Sequence, residues 1–311
     1  MSLNIPRKQT EPLSSRRTFI NTSLKAAGAA TLMTIPGSTI AAGILGAVNE
    51  YSVQDVIDIV LKAIPEALPS NTVDTIKAGS ATQKVAGIVT TMFPTIEVIK
   101  EAVRVKANFI IAHEPTFYNH ADKQDLFENN EVQQKKMKLL TENEIAVWRS
   151  HNSWHRLKPD GITYGVVKKA GWEDFYKAEE KIINLPTSSS LSEIVHQLKT
   201  KLQIAHVRVI GNLSNSCKKI ALLPGASGAQ NHIQTIIDKK PDLLIVGEAS
   251  EWETPEYIRD AQLLGINISL IVLGHAVSEE PGMEWMATWL QPKVPGIGVA
   301  HIASKDPFTW T

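Results

Sequence analysis

The stretch FIIAHEP (residues 109–115) joins four apolar residues to a histidine, a glutamate and a proline. The apolar part, Phe109-Ile110-Ile111-Ala112, has the length and composition of a short buried strand. A β-branched strand candidate at 84–91 precedes it, followed by a helix that begins at Pro94 and runs to about residue 106. A strand, a helix and a second strand in this order predict a parallel pair with a right-handed crossover.

The same alternation continues along the chain. Strands are predicted at 145–148, 207–210, 220–223, 243–246 and 266–273, and helices at 53–68, 126–143, 161–170, 191–202, 230–238, 254–264 and 282–290. The turn-rich stretch 184–190 is the predicted boundary between an N-terminal lobe (49–183) and a C-terminal lobe (190–311). The predicted class is α/β, with two α/β lobes, mixed and largely parallel sheets, and a site in the cleft at the carboxyl ends of the strands.

Composition narrows the function classes. The 311 residues include 32 Lys+Arg and 32 Asp+Glu, which argues against a nucleic-acid protein that relies on a broad basic surface. Cys217 is the single cysteine, so neither an intramolecular disulfide nor a thiolate-rich zinc site can form. Any metal ion must therefore be held by His, Asp and Glu side chains.

The first 42 residues predict an export signal. Ser15-Arg16-Arg17-Thr18-Phe19-Ile20 places two arginines before a mildly apolar stretch (24–35), and Ala41-Ala42 offers a cleavage point. The apolar stretch is too short to span a bilayer, so we expect no stable membrane insertion after the signal is removed. The prediction is export by the twin-arginine route to the periplasm or the exterior; the alternative is a disordered basic tail.

Three predicted strands end in side chains that can bind a metal ion. The first leads to His113 and Glu114, the second to a stretch that contains His155, and the third to His275 and Glu279. Taken singly, each is commonly a hydrogen-bonded histidine or a surface pair. Together, imidazoles and carboxylates suit zinc, iron, manganese or nickel, and five ligands indicate two divalent ions that share a bridging group.

Several segments resemble one family. They are Ala112-His113-Glu114-Pro115, Ser150-His151-Asn152-Ser153-Trp154-His155, Gly247-Glu248-Ala249-Ser250-Glu251, Gly274-His275-Ala276-Val277-Ser278-Glu279 and Asp306-Pro307-Phe308. In order and spacing they resemble the Nif-three-like family of dinuclear-metal-centre proteins (NGG-one-interacting factor three), also labelled GTP cyclohydrolase I type 2 homologues. The resemblance covers nearly all of the chain beyond the signal.

Carried over by this resemblance, the metal ligands are His113, Glu114, His155, His275 and Glu279. Glu114 stands where the family commonly has a second histidine, and His155 stands where it has an aspartate. The two changes compensate, so three imidazoles and two carboxylates are kept. The family is associated with toroidal hexamers. The resemblance therefore also implies a homo-oligomer, with a homohexamer as the largest expected assembly.

Other residues near these segments allow two interpretations each. Glu248 and Glu251 can orient ligating imidazoles or transfer protons, or they can cap the following helix. His151 can position a substrate or be structural, and Trp154 and Tyr118 can form an aromatic wall or pack in the core. The loop 224–228 can bind an anion through its backbone or be a plain tight turn.

The functional prediction is a metal-dependent hydrolase in which a metal-bridging hydroxide attacks a small-molecule substrate and Glu248 or Glu251 moves the proton. The sequence does not choose between a phosphoester, a cyclic amide and a purine ring. The alternative is a non-enzymatic periplasmic metal- or ligand-binding toroidal assembly.

Overall fold

The computed structural model describes residues 50–127, 129–309 and 311. All of them belong to one compact unit, Val48–Thr311. The predicted twin-arginine signal, residues 1–42, lies outside the described residues. Within the described part of the chain, no helix is both long and apolar enough to cross a membrane.

Strands and helices alternate along the described residues, which confirms the predicted α/β class. The strands are β1 (Ile76–Ala78), β2 (Gly87–Thr91), β3 (Phe109–Ala112), β4 (Ala146–Arg149), β5 (Tyr176–Lys177), β6 (Ile182–Ser190), β7 (Arg208–Ile210), β8 (Ser216–Leu223), β9 (Leu243–Val246), β10 (Ser269–Val272) and β11 (Gly298–His301). The α-helices are α1 (Val53–Leu61), α2 (Ile96–Arg104), α3 (Glu131–Glu142), α4 (Asn152–Arg156), α5 (Gly161–Ala170), α6 (Leu191–Leu202), α7 (Ala229–Lys239), α8 (Thr254–Leu263) and α9 (His275–Leu290).

The first sheet has the strand order β1-β4-β3-β2-β11. Its strands pair in parallel except β1, which is antiparallel to β4. Helix α2 is the crossover between β2 and β3 that the sequence predicts. Phe109 and Ile111 enter one hydrophobic cluster and Ile110 and Ala112 another, so both faces of β3 are covered by apolar side chains.

The second sheet has the order β5-β6-β8-β9-β10-β7. Its centre, β8-β9-β10, is parallel, whereas β5, β6 and β7 pair antiparallel. Both sheets are therefore mixed, and their parallel strands carry the residues predicted to form the site.

The stretch 184–190 is not the turn-rich connection that the sequence predicts. It forms most of β6, which pairs antiparallel with β8. The register shifts between Asn184 and Ser189, around Pro186, where a proline without an N–H group interrupts the ladder. The polar composition is thus that of a partly exposed, irregular strand rather than of a linker.

Two further corrections concern the C-terminal region. The helix predicted at 282–290 begins seven residues earlier, at His275, because α9 tolerates Pro281 in its interior. Strand β11 is absent from the prediction; it pairs in parallel with β2 and brings the end of the chain into the first sheet. The limits of the two lobes, 49–183 and 190–311, remain a prediction.

Helices α5 and α9 touch at two glycines. A Cβ atom on Gly165 would lie 2.4 Å from the Cα of Gly282, far inside normal contact distance. The close approach requires that neither helix carries a side chain here. It holds α9, which bears two predicted ligands, against the helix that follows His155.

We expect Gly165→Ala to lower the free energy of unfolding by about 1 kcal/mol in urea titrations. Alanine gains about 1 kcal/mol of helix propensity, but forcing backbone atoms apart costs roughly 1–3 kcal/mol. The matched control is Gly298→Ala in β11, where an added Cβ meets nothing within 4 Å. A Gly165→Ala protein as stable as the parent would contradict the close contact.

Candidate metal centre

The five predicted ligands meet in one cluster. His113 and Glu114 follow β3, His155 lies on α4 after β4, and His275 and Glu279 lie on the first two turns of α9 after β10. Strands β3 and β4 belong to the first sheet and β10 to the second. The site therefore forms where the carboxyl ends of strands from both sheets approach each other.

Glu279 and Glu114 lie on either side of the His275 ring nitrogen. The Nε2 atom of His275 is 3.1 Å from Oε2 of Glu279 and 3.4 Å from Oε1 of Glu114. Oε2 of Glu279 is also 3.5 Å from Nε2 of His113. His275 and Glu279 share one helix face, as their spacing of four predicts, because α9 begins at His275.

His151 joins the cluster as a sixth candidate ligand, although its sequence context indicated a role in substrate positioning or a structural role. Its ring stacks on that of His113 with centroids 4.6 Å apart, and its Nε2 is 3.5 Å from Oε1 of Glu114. Two groups have donor atoms close enough to share an ion: His113, His151 and His155, and His113, Glu114 and Glu279. Nothing in the sequence indicated that a helix begins at Asn152, so the position of His151 in the cluster could not be predicted.

His113 is completely buried and its ring orientation is set by the backbone. Nδ1 lies 3.2 Å from the carbonyl oxygen of Ser150, so Nδ1–H donates there and the lone pair belongs to Nε2. Burial, reinforced by the neighbouring His155 and His151, holds the pKa of His113 well below its usual value. In the part of the chain that the structure describes, Nε2 has no hydrogen-bond partner, and it lies 3.5 Å from Oε2 of Glu279. This is the state in which an imidazole binds a metal ion.

A carboxylate orients His155. Nδ1 of His155 lies 3.0 Å from Oδ2 of Asp160, while Oδ1 of the same aspartate accepts from the N–H groups of Ile162 and Thr163 at the start of α5. Burial alone would lower the pKa of His155, but the hydrogen bond and charge of Asp160 outweigh it and raise the pKa. The pattern of carboxylate, histidine and metal site is common among metalloproteins.

Glu248 orients the ring of His275 in the same way that Asp160 orients the ring of His155. Its Oε1 lies 2.7 Å from Nδ1 of His275, which leaves Nε2 directed at Glu114 and Glu279. Burial lowers the pKa of His275, but hydrogen bonds to the two carboxylates raise it to about 11. A metal ion entering the cluster would therefore compete with a proton on this ring.

Arg149, which the sequence analysis did not single out, fixes Glu114. Its buried guanidinium donates from Nη2 to Oε2 of Glu114 at 2.8 Å, from Nε to the carbonyl of His113 at 3.1 Å, and from Nη1 to the carbonyl of His120. Burial raises the pKa of Glu114, but the hydrogen bonds from His151 and His275 hold it far below its usual range. The sequence feature that could have indicated this role is an arginine at the end of an otherwise apolar strand.

Asp74 holds the segment after β4 through hydrogen bonds to its backbone and to one hydroxyl. Oδ1 accepts from the N–H groups of His151 and Asn152, and Oδ2 accepts from the N–H and hydroxyl of Ser153. These bonds occupy donors at the start of α4, a helix of five residues that is too short to be stable alone. Asp74 thus fixes the segment that carries His151 and His155.

The loop 224–228 supports Glu279. A Cβ atom on Gly225, which has φ +69°, would lie 2.0 Å from Oε1 of Glu279. The N–H of Gly225 donates to Oγ of Ser278, and its carbonyl accepts from the N–H of Glu248. The glycine lets the loop approach the carboxylate closely and ties together the elements that carry Glu248 and Glu279.

The structure does not bring every predicted site residue to the cluster. Trp154 is buried in the core against Trp285, and its Nε1 donates to the carbonyl of Gly282, so it forms no wall of the cleft. Glu251 pairs with Arg208 at 3.0 Å, has a side chain 82% exposed, and is not among the residues that line the cleft. Tyr118 does line it.

The cluster forms the floor of a cleft of about 930 Å³. One wall is apolar and aromatic, with Phe93, Pro115, Tyr118 and Pro224. Lys136 also lines the cleft although it is only 3% exposed. Burial lowers its pKa to about 8, against an opposing effect of the Asp122 charge.

The buried lysine predicts a pH effect on stability. Its folded-state pKa of about 8 is below the ordinary lysine pKa of 10.5, so between these pH values the unfolded chain binds more protons and stability rises with pH. We expect the parent to gain up to about 3 kcal/mol in free energy of unfolding relative to Lys136→Met across this window.

Urea titrations of both proteins at pH 7 and pH 10 measure this difference. The exposed Lys138→Met serves as the matched control on the same helix and should show no such change relative to the parent. Identical pH dependence in the parent and Lys136→Met would show that the lysine is not buried as described.

Comparison with known proteins agrees with the fold. Curated relatives named "GTP cyclohydrolase 1 type 2 homolog" are 24% identical over 242 residues in Clostridium perfringens (74% of this chain, 88% of the relative) and 24% over 232 residues in Clostridium acetobutylicum (71% and 82%). A crystal structure of a Staphylococcus aureus protein has a TM-score of 0.69 at 18% identity, and one of a Bacillus cereus protein related to NIF3 has 0.69 at 17%. Each covers 84% of this chain and 99% of its own.

A family description matches residues 51–307, which is the larger part of the chain. The match spans every element that contributes to the cluster, from Asp74 to Glu279. The chain belongs to the Duf34/NIF3 (NGG1p interacting factor 3) family.

Proposed function

We propose that this chain binds two divalent metal ions in the cleft and uses them as a metal-dependent hydrolase. The observation that carries the proposal is the buried Nε2 of His113, which has no hydrogen-bond partner among the described residues although it lies among imidazole and carboxylate groups. Leaving a buried acceptor unsatisfied costs free energy, and a bound cation would remove that cost. The donor set therefore fits a metal ion.

Two ions fit the cluster better than one. The two possible ligand groups both include His113, but its Nε2 has one lone pair and can bind only one ion. Glu279 has two carboxylate oxygens and lies near both His113 and His275, so it would help to hold both ions. His155 and His151 would complete one site, and Glu114 and His275 the other.

The donors also limit the choice of metal. All are imidazole nitrogens or carboxylate oxygens, which suits zinc, iron, manganese or nickel. Calcium prefers a shell made of oxygen atoms and fits poorly.

Ions bound there would supply Lewis-acid polarisation of a substrate and a water of lowered pKa. The chain itself would contribute orientation and proton transfer. Asp160 and Glu248 hold the outer nitrogens of His155 and His275, and Arg149 keeps one oxygen of Glu114 away from the cluster. Glu248 has a half-exposed carboxylate in contact with the His275 ring and is suited to accept a proton.

We make three further proposals from the sequence and the family resemblance. Export by the twin-arginine route to the periplasm or exterior rests on residues 1–42. Assembly into a homo-oligomer, with a homohexamer as the largest expected assembly, rests on the family resemblance. The same resemblance leaves a non-enzymatic metal- or ligand-binding assembly as the alternative function.

Metal analysis tests the site directly. Protein purified without chelator or affinity metal is expected to hold about two ions per chain, and the double variant His155→Ala/Glu279→Ala should lose most of them, since each ligand removed raises the cost of holding an ion. Elemental analysis by mass spectrometry gives the content and names the metal.

The control is His196→Ala, which removes an exposed histidine on α6 away from the cluster. It should keep the parent's metal content. A parent that takes up no metal after reconstitution, or a double variant that holds as much as the parent, would exclude the dinuclear site.

The hydrolase part is tested by Glu248→Gln. The glutamine keeps an oxygen that can accept from Nδ1 of His275 but cannot take up a proton. We expect unchanged metal content and a fall in turnover of about 10²-fold or more on a panel of phosphoesters and cyclic amides. Glu251→Gln, outside the cleft, should behave like the parent. A metal-loaded parent without turnover on the panel would favour the binding alternative.

A further inference from the structure

We propose that the cleft takes an anionic small molecule and that Lys136 binds its phosphoryl group. This inference rests on the proposed function only in placing the ligand in the same cleft. It names a substrate class and a binding residue that the ligand cluster itself does not require. The proposal follows from how the charges around Lys136 are paired.

Two buried carboxylates near Lys136 are already paired with other cations. Oδ2 of Asp122 lies 3.6 Å from both Nζ of Lys77 and Nη1 of Arg149. Glu114 pairs with Arg149 at 2.8 Å and faces the histidines with its other oxygen. Among the residues that the structure describes, no carboxylate lies within ion-pairing distance of Lys136.

The groups around the Lys136 ammonium balance its positive charge only in part. Nζ donates to the carbonyl of Thr116 at 2.7 Å and lies 5.0 Å from the centre of the Tyr118 ring. A neutral carbonyl and an aromatic face stabilise a buried ammonium less than a carboxylate does. A buried cation of this kind, on the wall of a cleft, is a site that an anion would stabilise.

Tyr118 strengthens the assignment to the cleft. It has φ +60°, a left-handed conformation that an aromatic residue rarely adopts, and its side chain is 54% exposed at the cleft wall. Strained residues of this kind cluster at ligand-binding sites. The strain places the ring beneath the ammonium and against the cleft, where it can also contact the apolar part of a ligand.

The cations that line the cleft favour a phosphoryl group over a carboxylate. Lys181 and Lys305 line it as well as Lys136, beside the carboxylates of the ligand cluster and Asp160, and Lys305 is paired with Glu97. Several lysines around one opening suit a dianion, and a lysine binds phosphate as a point charge without the planar geometry that a carboxylate–arginine pair needs. Divalent ions held by the ligand cluster would add positive charge to the cleft.

Calorimetric titration of inorganic phosphate into the metal-loaded full chain tests the proposal. Losing one charged hydrogen bond should weaken phosphate binding by about tenfold or more in Lys136→Met, with unchanged metal content. Lys136→Gln, which keeps a hydrogen-bond donor but not the charge, should show the same loss. Lys138→Met is the matched control: it removes an exposed lysine of the same helix that is not among the residues lining the cleft, and it should change the affinity less than about threefold.

Three outcomes decide between the possibilities. Phosphate binding that is unchanged in both Lys136 variants overturns the proposal, even if metal and hydrolysis are present. Acetate that binds the parent more tightly than phosphate does also overturns it. Phosphate binding that depends on Lys136 in a parent without metal supports it while the proposed metal-dependent function fails.

Discussion

The buried contact between Arg149 and Glu114 is the interaction on which the candidate site depends. It links the ends of two adjacent parallel strands, β3 and β4, because the guanidinium donates both to the Glu114 carboxylate and to the carbonyl of His113. Glu114 is thereby left with a single oxygen for His151 and His275. Removing one partner of such a buried pair is strongly destabilising. A substitution that breaks this pair would therefore also disrupt the site.

One design recurs around the cluster: each imidazole is held by a polar group on its outer nitrogen. The backbone carbonyl of Ser150 serves His113, Asp160 serves His155 and Glu248 serves His275. Asp160 also caps α5, so the same carboxylate that orients a candidate ligand fixes a helix. The stability of the fold and the geometry of the site are in this way produced by the same contacts, which is why a loop glycine such as Gly225 can matter to both.

Much of the fold could be predicted from local sequence patterns. The strand Phe109–Ala112, the helix Gly161–Ala170 and the strand Leu243–Val246 have the predicted bounds, because their apolar runs and caps are local signals. Strand β6 was mistaken for a linker because its serines and Pro186 resemble turn chemistry, and β11 is short and half-exposed. Both are strands only because a distant strand pairs with them. The role of His151 and the burial of Trp154 likewise depend on which way α4 faces.

The sequence by itself determined the α/β alternation, the family resemblance and the residue types at the ends of three strands, because periodicity and side-chain chemistry are properties of short segments. Only the tertiary structure decided which atom of each side chain faces the cluster. Those choices are made by partners far apart in the chain, such as Arg149 for Glu114 and Glu248 for His275. It also decided that Lys136 is buried without a carboxylate, since burial and charge pairing exist only once the elements have packed.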